Sequence, residues 1–334
     1  MNTFGQILTL TSFGESHGPA MGGVLEGMPA DVAVDLEALQ SFVDRRRPGQ
    51  GSATSARNEC DRIEVLSGIW QGKTLGTPIG FIVRNTDARS EDYEHISKCY
   101  RPNHADFTWR EKYGHTDPRG GGRASARETV ARVIAGGIAM QALSTLGISV
   151  EARVVQVGHV TDVNLMQQAI AEAQHDGDTL GGVITCIVTG VPAGLGEPVF
   201  GKLHAQLAAA MMSIPAAHGF EYGDGFAMSA RRGSEVMDYF VKRKDGSIGT
   251  ASNHSGGIQG GISNGEPITM RIAFKPVPTL MRDITTVDHE GNSTILHARG
   301  RHDACVLQRA VPIVEAMAAL VILDNYLIKK TNHM

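Results

Sequence analysis

The sequence predicts an α+β fold, and three observations carry that reading. Stretches of apolar period 2 and of period 3.6 follow one another irregularly, which is not the strand–helix–strand rhythm of a doubly wound sheet. No dinucleotide fingerprint is present: after Gly194-Leu195-Gly196, Val199 stands where the third glycine would be needed. No low-complexity tract or long linker divides the chain. Residues 1–334 therefore read as a single domain, with two related halves allowed.

Taken in order, residues 35–45 form a short helix with Leu36, Leu39 and Val43 on one face. Residues 62–67 and 79–84 alternate like strands. Residues 87–123 are polar, rich in Arg, His and Gly, and nearly without periodicity. A loop that long inside a domain is functional or disordered. Tyr93, Tyr100, Phe107, Trp109 and Tyr113 can anchor it, which favours order. Residues 125–146 carry a helical stripe of Val130, Val133, Ile134, Ile138 and Leu143, opened by a capping box, Ser125-Ala126-Arg127-Glu128. Strands follow at 150–157, 182–189 and 268–274, and helices at 164–174 and 202–212. A long helix closes the chain over 303–330, with Asp303 as its N-cap and a kink at Pro312. Its apolar centre, 311–323, is too short to span a bilayer and reads as buried.

Composition narrows the function. Hydrophobic residues are 42% of the chain, enough for a substantial core, so a disordered chain is excluded. The formal net charge is −4, so no global positive field holds nucleic acid or an anionic membrane. The N-terminus lacks the pattern of a signal peptide. Cys60, Cys99, Cys186 and Cys305 lie far apart, without metal or redox spacing, and reduced thiols in a cytoplasmic protein are the simplest reading.

Two biases point to an anionic ligand. The 40 glycines gather in clusters such as Gly120-Gly121-Gly122 and Gly260-Gly261, which permit positive φ and close backbone approach. Among 31 basic residues, 22 are arginine, and 13 of these lie between Arg45 and Arg132. A guanidinium grips phosphate or carboxylate with two bonds, whereas an ammonium does not. Arg119-Gly-Gly-Gly-Arg123 runs into the helix start at Ser125, where bare amides and a helix dipole add to two arginines. The plain alternatives are a helix cap with a flexible turn and surface ion pairs.

His17, in Gly14-Glu15-Ser16-His17-Gly18, and His104, in Arg101-Pro102-Asn103-His104-Ala105-Asp106, stand in polar loops that suit acid–base work. His302 sits beside Arg301 and Asp303. A lone histidine is more often structural, and no zinc-ligand spacing exists. Residues 14–18 formally match the G-x-S-x-G nucleophile elbow. The elbow needs a helix after the serine, and Pro19 and Gly22-Gly23 argue against one.

These segments together resemble chorismate synthase. The likeness runs through GESHG (14–18), DRRRPG (44–49), RPNHAD (101–106), RGGGRASARET (119–129), GVPAGLGEPVF (190–200), SNHSGGIQGGISNG (252–265) and GRHDAC (300–305), in order along the whole chain. The resemblance implies helices sandwiched between antiparallel β-sheets, a homotetramer, and anti-1,4-elimination of phosphate from 5-enolpyruvylshikimate 3-phosphate to give chorismate. It also implies reduced FMN, used without net redox change. Some members reduce their own flavin. This chain carries no added domain, so a separate flavin reductase or reductant is expected.

By the same resemblance, His17 protonates the departing phosphate, His104 protonates or stabilises the reduced flavin, and Asp303 assists removal of the ring proton. Ser16, Arg46, Arg101, Arg127 and Arg301 match substrate-binding positions. Arg123, Ala124, Ser125, Pro215, Ala216, Gly260, Lys275, Pro276, Val277, Pro278, Thr279 and Arg301 match positions that contact FMN. Several positions depart from the family pattern: Ser52 replaces a common Arg, for which Arg57 could substitute, Asn103 replaces Gly, Ala304 replaces Pro, and His218 replaces Lys. The chain is also shorter after Val155 than several relatives. Two other readings remain open from residues alone: a flavin-free lyase or transferase acting on a phosphorylated metabolite, and a nucleic-acid module using the Arg-rich segment.

Overall fold

The computed structural model describes residues 1–47, 61–85, 98–115, 117, 121–297 and 303–332. Six α-helices occur among them: α1 (Leu36–Asp44), α2 (Asp106–Tyr113), α3 (Thr129–Thr145), α4 (Val163–His175), α5 (Leu203–Met212) and α6 (Leu307–Thr331). Two of them lack a polar face and so must lie inside. α3 buries Val130, Val133, Ile134, Ile138 and Leu143 together with the alanines between them. α6 is buried from Ala310 through Asn325 with no break. Each fully buried Val, Leu or Ile contributes roughly 1.5–3 kcal/mol. α6 is long and apolar enough to cross a membrane, but 83% of its most apolar window is covered by the fold.

The two helices pack directly on one another. Gly136 permits the approach, because a Cβ there would lie 2.3 Å from the Cβ of Ala316 and 2.4 Å from its Cα. On one side α3 packs against a five-stranded antiparallel sheet with the spatial order Thr3–Phe4, Thr9–Gly14, Ala20–Glu26, Ile79–Arg84, Ile63–Val65. On the other, α6 packs against a four-stranded antiparallel sheet ordered Ala217–Tyr222, Ile268–Phe274, Gly182–Thr189, Ser149–Val157. Strand alternation supplies the inner faces: Ile79, Phe81 and Val83 in the first sheet, and Ile184, Cys186, Val188, Ile268, Met270 and Ile272 in the second. The result is sheet, helix, helix, sheet, an α+β sandwich as the resemblance implies.

Buried carboxylates tie the layers together. Glu315 of α6 accepts from Arg45 at 2.7 Å and from the Ala152 amide at 3.0 Å. Asp324 accepts the backbone amides of Gln6, Ile7 and Leu8 at 2.8–2.9 Å, which anchors the N-terminal segment to α6. Cys99, Cys186 and Cys305 are buried thiols.

Most of the expected elements form within a residue or two, including α1, whose N-cap Asp35 accepts from the amides of Glu37 and Ala38. Three expectations are corrected. α6 begins at Leu307, not 303; Asp303 is not its N-cap, because Arg309 takes its carboxylate. Ser125 caps only a 3-10 turn, Ala126–Glu128, and no capping box closes, because Glu128 pairs with Arg132 at 2.9 Å. The polar stretch after residue 87 contains α2, which has no buried residue and therefore no apolar stripe to reveal it.

The closeness of α3 and α6 makes a strict prediction. Gly136→Val should destabilise the protein by about 3 kcal/mol or more in urea unfolding, since Ala316 backbone cannot yield as a flexible side chain would. Wild-type stability would contradict the close crossing.

Candidate active site

The site grows from the turn between the strands Thr9–Gly14 and Ala20–Glu26. A strand precedes Ser16 and a strand follows it, so the nucleophile elbow is absent. Gly14 takes φ +96°, and a Cβ there would sit 2.3 Å from the Ala20 carbonyl oxygen. Ser16 and His17 are buried, with the Ser16 hydroxyl 3.0 Å from Nδ1 of His17. Asn85 holds the turn from outside: its Nδ2 donates to the carbonyls of Glu15 at 3.1 Å and Gly18 at 2.7 Å.

The same Asn85 accepts from Nε of Arg127 at 3.1 Å. Arg127 and Arg46 both donate to Asp61, one to each carboxylate oxygen. Asp61 is wholly buried, and Arg46 is 2% exposed. Burial pushes the Asp61 carboxyl up, but the two guanidiniums outweigh it and hold it below the ordinary carboxylate value. Burial pulls Arg46 down, with Asp61 opposing. Arg309 extends the cluster, donating Nε to the Arg46 carbonyl at 3.0 Å and pairing with Asp303. One line of contacts thus joins His17's turn, Arg127, Asp61, Arg46, Arg309 and Asp303.

A second group forms around Asp106, in the first turn of α2. Its carboxylate accepts from Nε and Nη2 of Arg101 at 2.7 and 2.6 Å, and from Nδ1 of His104 at 2.7 Å. Burial raises the Asp106 carboxyl, and the bonds from Arg101 and His104 more than reverse this, so it lies far below its usual range. An ionised carboxylate only accepts, so Nδ1 of His104 carries the proton.

The glycine segment touches both groups. Gly121 is left-handed at φ +82°, and a Cβ there would lie 3.3 Å from Cε1 of His104. At Gly122 a Cβ would lie 2.6 Å from Oε2 of Glu15, two residues before His17. Burial raises the Glu15 carboxyl, opposed by Arg123. Arg123 donates to the Ser12 hydroxyl at 2.7 Å. A cleft of about 930 Å³ opens here, lined by Arg101, Arg123 and Ala124 among the residues the sequence singled out, and by Glu15, Trp109 and Tyr113.

The remaining candidates divide. Lys275 lies beside Ala216, with its amide donating to the Ala216 carbonyl at 2.9 Å, so the segments holding Pro215 and Ala216 and residues 275–279 adjoin. Lys275 Nζ donates to the Asn103 carbonyl at 2.5 Å, which brings this segment to the loop of His104. Thr279 is buried. Gly260 lies in a separate hairpin, Ile258–Gln259 with Ile262–Ser263, and a Cβ there would meet nothing within 4 Å. Arg301, His302, Ser52 and Arg57 lie outside the described residues. Sequence reasoning passed over Asp61, Asn85, Asp106 and Arg309. An excess of arginine without large net charge does signal that some carboxylate must answer it, but not which.

Two measurements test the buried cluster. Asp61→Asn should cost about 3–5 kcal/mol in urea unfolding, because it leaves two arginines uncompensated. Asp61 and Asp106 are both depressed, so their stabilisation is complete above the unfolded carboxylate value of about 3.9 and is lost as pH falls below it. The melting temperature should therefore drop below about pH 4, and less steeply in Asp61→Asn. Equal acid sensitivity in variant and wild type would count against the pairing.

Comparison with known proteins identifies the family. The family model described as chorismate synthase matches residues 8–327. The chorismate synthase of Azobacteroides pseudotrichonymphae is 55% identical, over 98% of this chain and 99% of that protein. That of Parabacteroides distasonis is 53% identical, over 99% of each. A crystal structure of chorismate synthase superposes with a TM-score of 0.76 at 29% identity, covering 98% of this chain and 93% of that one. The chain belongs to the chorismate synthase family.

Proposed function

We infer that the chain catalyses anti-1,4-elimination of phosphate from 5-enolpyruvylshikimate 3-phosphate, giving chorismate, with reduced FMN as a cofactor returned unchanged. The observation that carries this reading is the buried pair Arg46 and Arg127 on a single carboxylate, joined through Asn85 to the His17 turn. One negative charge against two positive ones leaves the cluster cationic, which suits a substrate with one phosphate and two carboxylates. Nε of Arg46 is buried and has no hydrogen-bond partner among the described residues, so a donor remains for an anion.

Within this reading Ser16, Arg46, Arg101 and Arg127 hold the substrate's anionic groups, as would Arg301. His17 gives a proton to the departing phosphate, with its ring oriented by the Ser16 hydroxyl. His104, whose Nδ1 is tied to Asp106, presents Nε2 as the atom that exchanges a proton. Asp303, buried and paired with Arg309, assists removal of the ring proton.

The residues present suit a flavin mononucleotide. The cleft volume is within the usual range of ~300–1,000 Å³ for ligand sites. Its wall offers Trp109 and Tyr113 to a planar ring, with Arg123 and Ala124 beside them. Ser125, Pro215, Ala216, Gly260 and residues 275–279 complete the set. When bound, reduced flavin lends electron density to the breaking C–O bond and recovers it. Delivery by a separate reductant, a homotetramer and a cytoplasmic location belong to the same proposal. Exposed side chains such as Phe200, Phe226, Phe240 and Ile248 support assembly with further copies. The buried thiols fit a reducing compartment.

The test is anaerobic. Protein, photoreduced FMN and 5-enolpyruvylshikimate 3-phosphate should yield phosphate and chorismate in equal amounts, and folded but inactive protein would refute the assignment. His17→Ala and His104→Ala should each slow turnover by roughly 10²–10⁴-fold. Wild-type rates in both would remove their roles.

A further inference from the structure

Three arginines line the cleft among the described residues: Arg101, Arg110 and Arg123. Arg101 is paired with Asp106, and Arg123 faces Glu15. Arg110, on α2, has no carboxylate partner among the described residues. Its Nη1 donates instead to Nδ1 of His289 at 2.7 Å. A guanidinium can only donate, so Nδ1 accepts and the ring is neutral, with its proton on Nε2. Protonation at Nδ1 would break this bond and set two cations side by side. An anion in the cleft reverses that balance, since it satisfies the guanidinium and favours the imidazolium.

The imidazole is held without help from Arg110. It lies 4.8 Å from the Tyr100 ring at 44°, and Tyr100 meets Phe107 edge-on at 5.3 Å. His289 stands in the turn of the hairpin Asp283–Val287 with Ser293–His297. That hairpin docks on the segment leading to Arg101: the Tyr100 amide donates to the Val287 carbonyl at 3.1 Å, and the Thr286 hydroxyl to the Tyr100 carbonyl at 2.5 Å. Among the described residues Tyr100 is the other ionisable group shown against the ring, and Asp288 and Glu290 flank His289 in its own turn. The Asp288 carboxylate is engaged by the amides of Glu290 and Asn292 and by the Asn292 side chain. Arg110 and His289 are both exposed, so a ligand can reach them.

We propose that Arg110 and His289 form an anion subsite of the cleft that takes the phosphate of a phosphomonoester, with His289 gaining a proton as the anion binds. The proposal rests on the cleft being a site for phosphorylated ligands. Two sources share this chemistry, the flavin mononucleotide and the phosphorylated substrate.

Calorimetric titration of the full chain at pH 7.5, in two buffers of different ionisation enthalpy, separates them. The probes are FMN, riboflavin and 5-enolpyruvylshikimate 3-phosphate. The ligand that uses the subsite should bind with net proton uptake. Arg110→Gln should weaken it about tenfold, Arg110→Lys less, and His289→Gln should abolish the uptake. Loss confined to FMN, with riboflavin unaffected, assigns the subsite to the cofactor; loss confined to the substrate assigns it there. Unchanged affinity and proton uptake for both in an active enzyme overturns the subsite and leaves the elimination reading intact. If the wild type is inactive, the same titration with inorganic phosphate still decides the subsite, by the presence or absence of uptake that His289→Gln removes.

Discussion

The architecture around the site depends on one buried carboxylate. Asp61 receives Arg46 and Arg127, and none of the three could be buried alone at tolerable cost. Removing a charge from water costs several kcal/mol, and only a well-placed partner offsets it. The arrangement is nevertheless unequal, because one carboxylate serves two guanidiniums. The surplus positive charge lies where water is excluded, and there its field is screened least. A chain with a net charge of −4 can therefore concentrate attraction for an anion at one place.

The layered fold gives this cluster its geometry. Arg46 follows α1, Arg127 sits in the short turn that enters α3, and Arg309 is in the first turn of α6. α1 and α6 both pack on α3, so three basic groups from distant parts of the chain converge. Gly136 contributes indirectly, since the α3–α6 distance it permits also sets where Arg127 and Arg309 stand. Asn85 then carries the position of Arg127 to the His17 turn through hydrogen bonds to two carbonyls and one guanidinium. Packing in the apolar layer and placement of the catalytic candidates are consequently the same constraint seen at two depths.

What the sequence disclosed follows from what a pattern can encode. α3 and the strand Ile79–Arg84 carry repeating apolar positions that are buried as their periods require, and the apolar centre of α6 is buried throughout. α2 buries nothing, and its residues Phe107 and Tyr113 are half exposed, so no period marked it. The side-chain pattern of the strand Ala20–Glu26 is interrupted by Gly22 and Gly23, whose missing side chains make room for Phe13 and Phe81. Motif residues such as His17, His104 and Arg127 were legible as types in unusual company. Their partners were not: Asp61 is one of 11 acidic residues between Arg45 and Arg132, and its pairing with Arg46 and Arg127 is made by tertiary packing. Asp303 shows the same limit from the other side. An aspartate just ahead of a helix has the form of a cap, but Arg309 lies close enough to claim it.

The two histidines differ in a way that suits the different tasks proposed for them. Nδ1 of His104 faces a carboxylate, which can only accept, so that nitrogen carries a proton. Nδ1 of His17 faces a serine hydroxyl, which can donate or accept according to how its O–H turns. The Ser16 contact therefore survives either protonation state of that nitrogen. Such a neighbour suits the proton-donating role proposed for His17, because a partner of fixed role would oppose one half of that cycle. Asp106 gives His104 the opposite, a one-directional bond that suits the fixed orientation proposed for it, while also holding Arg101.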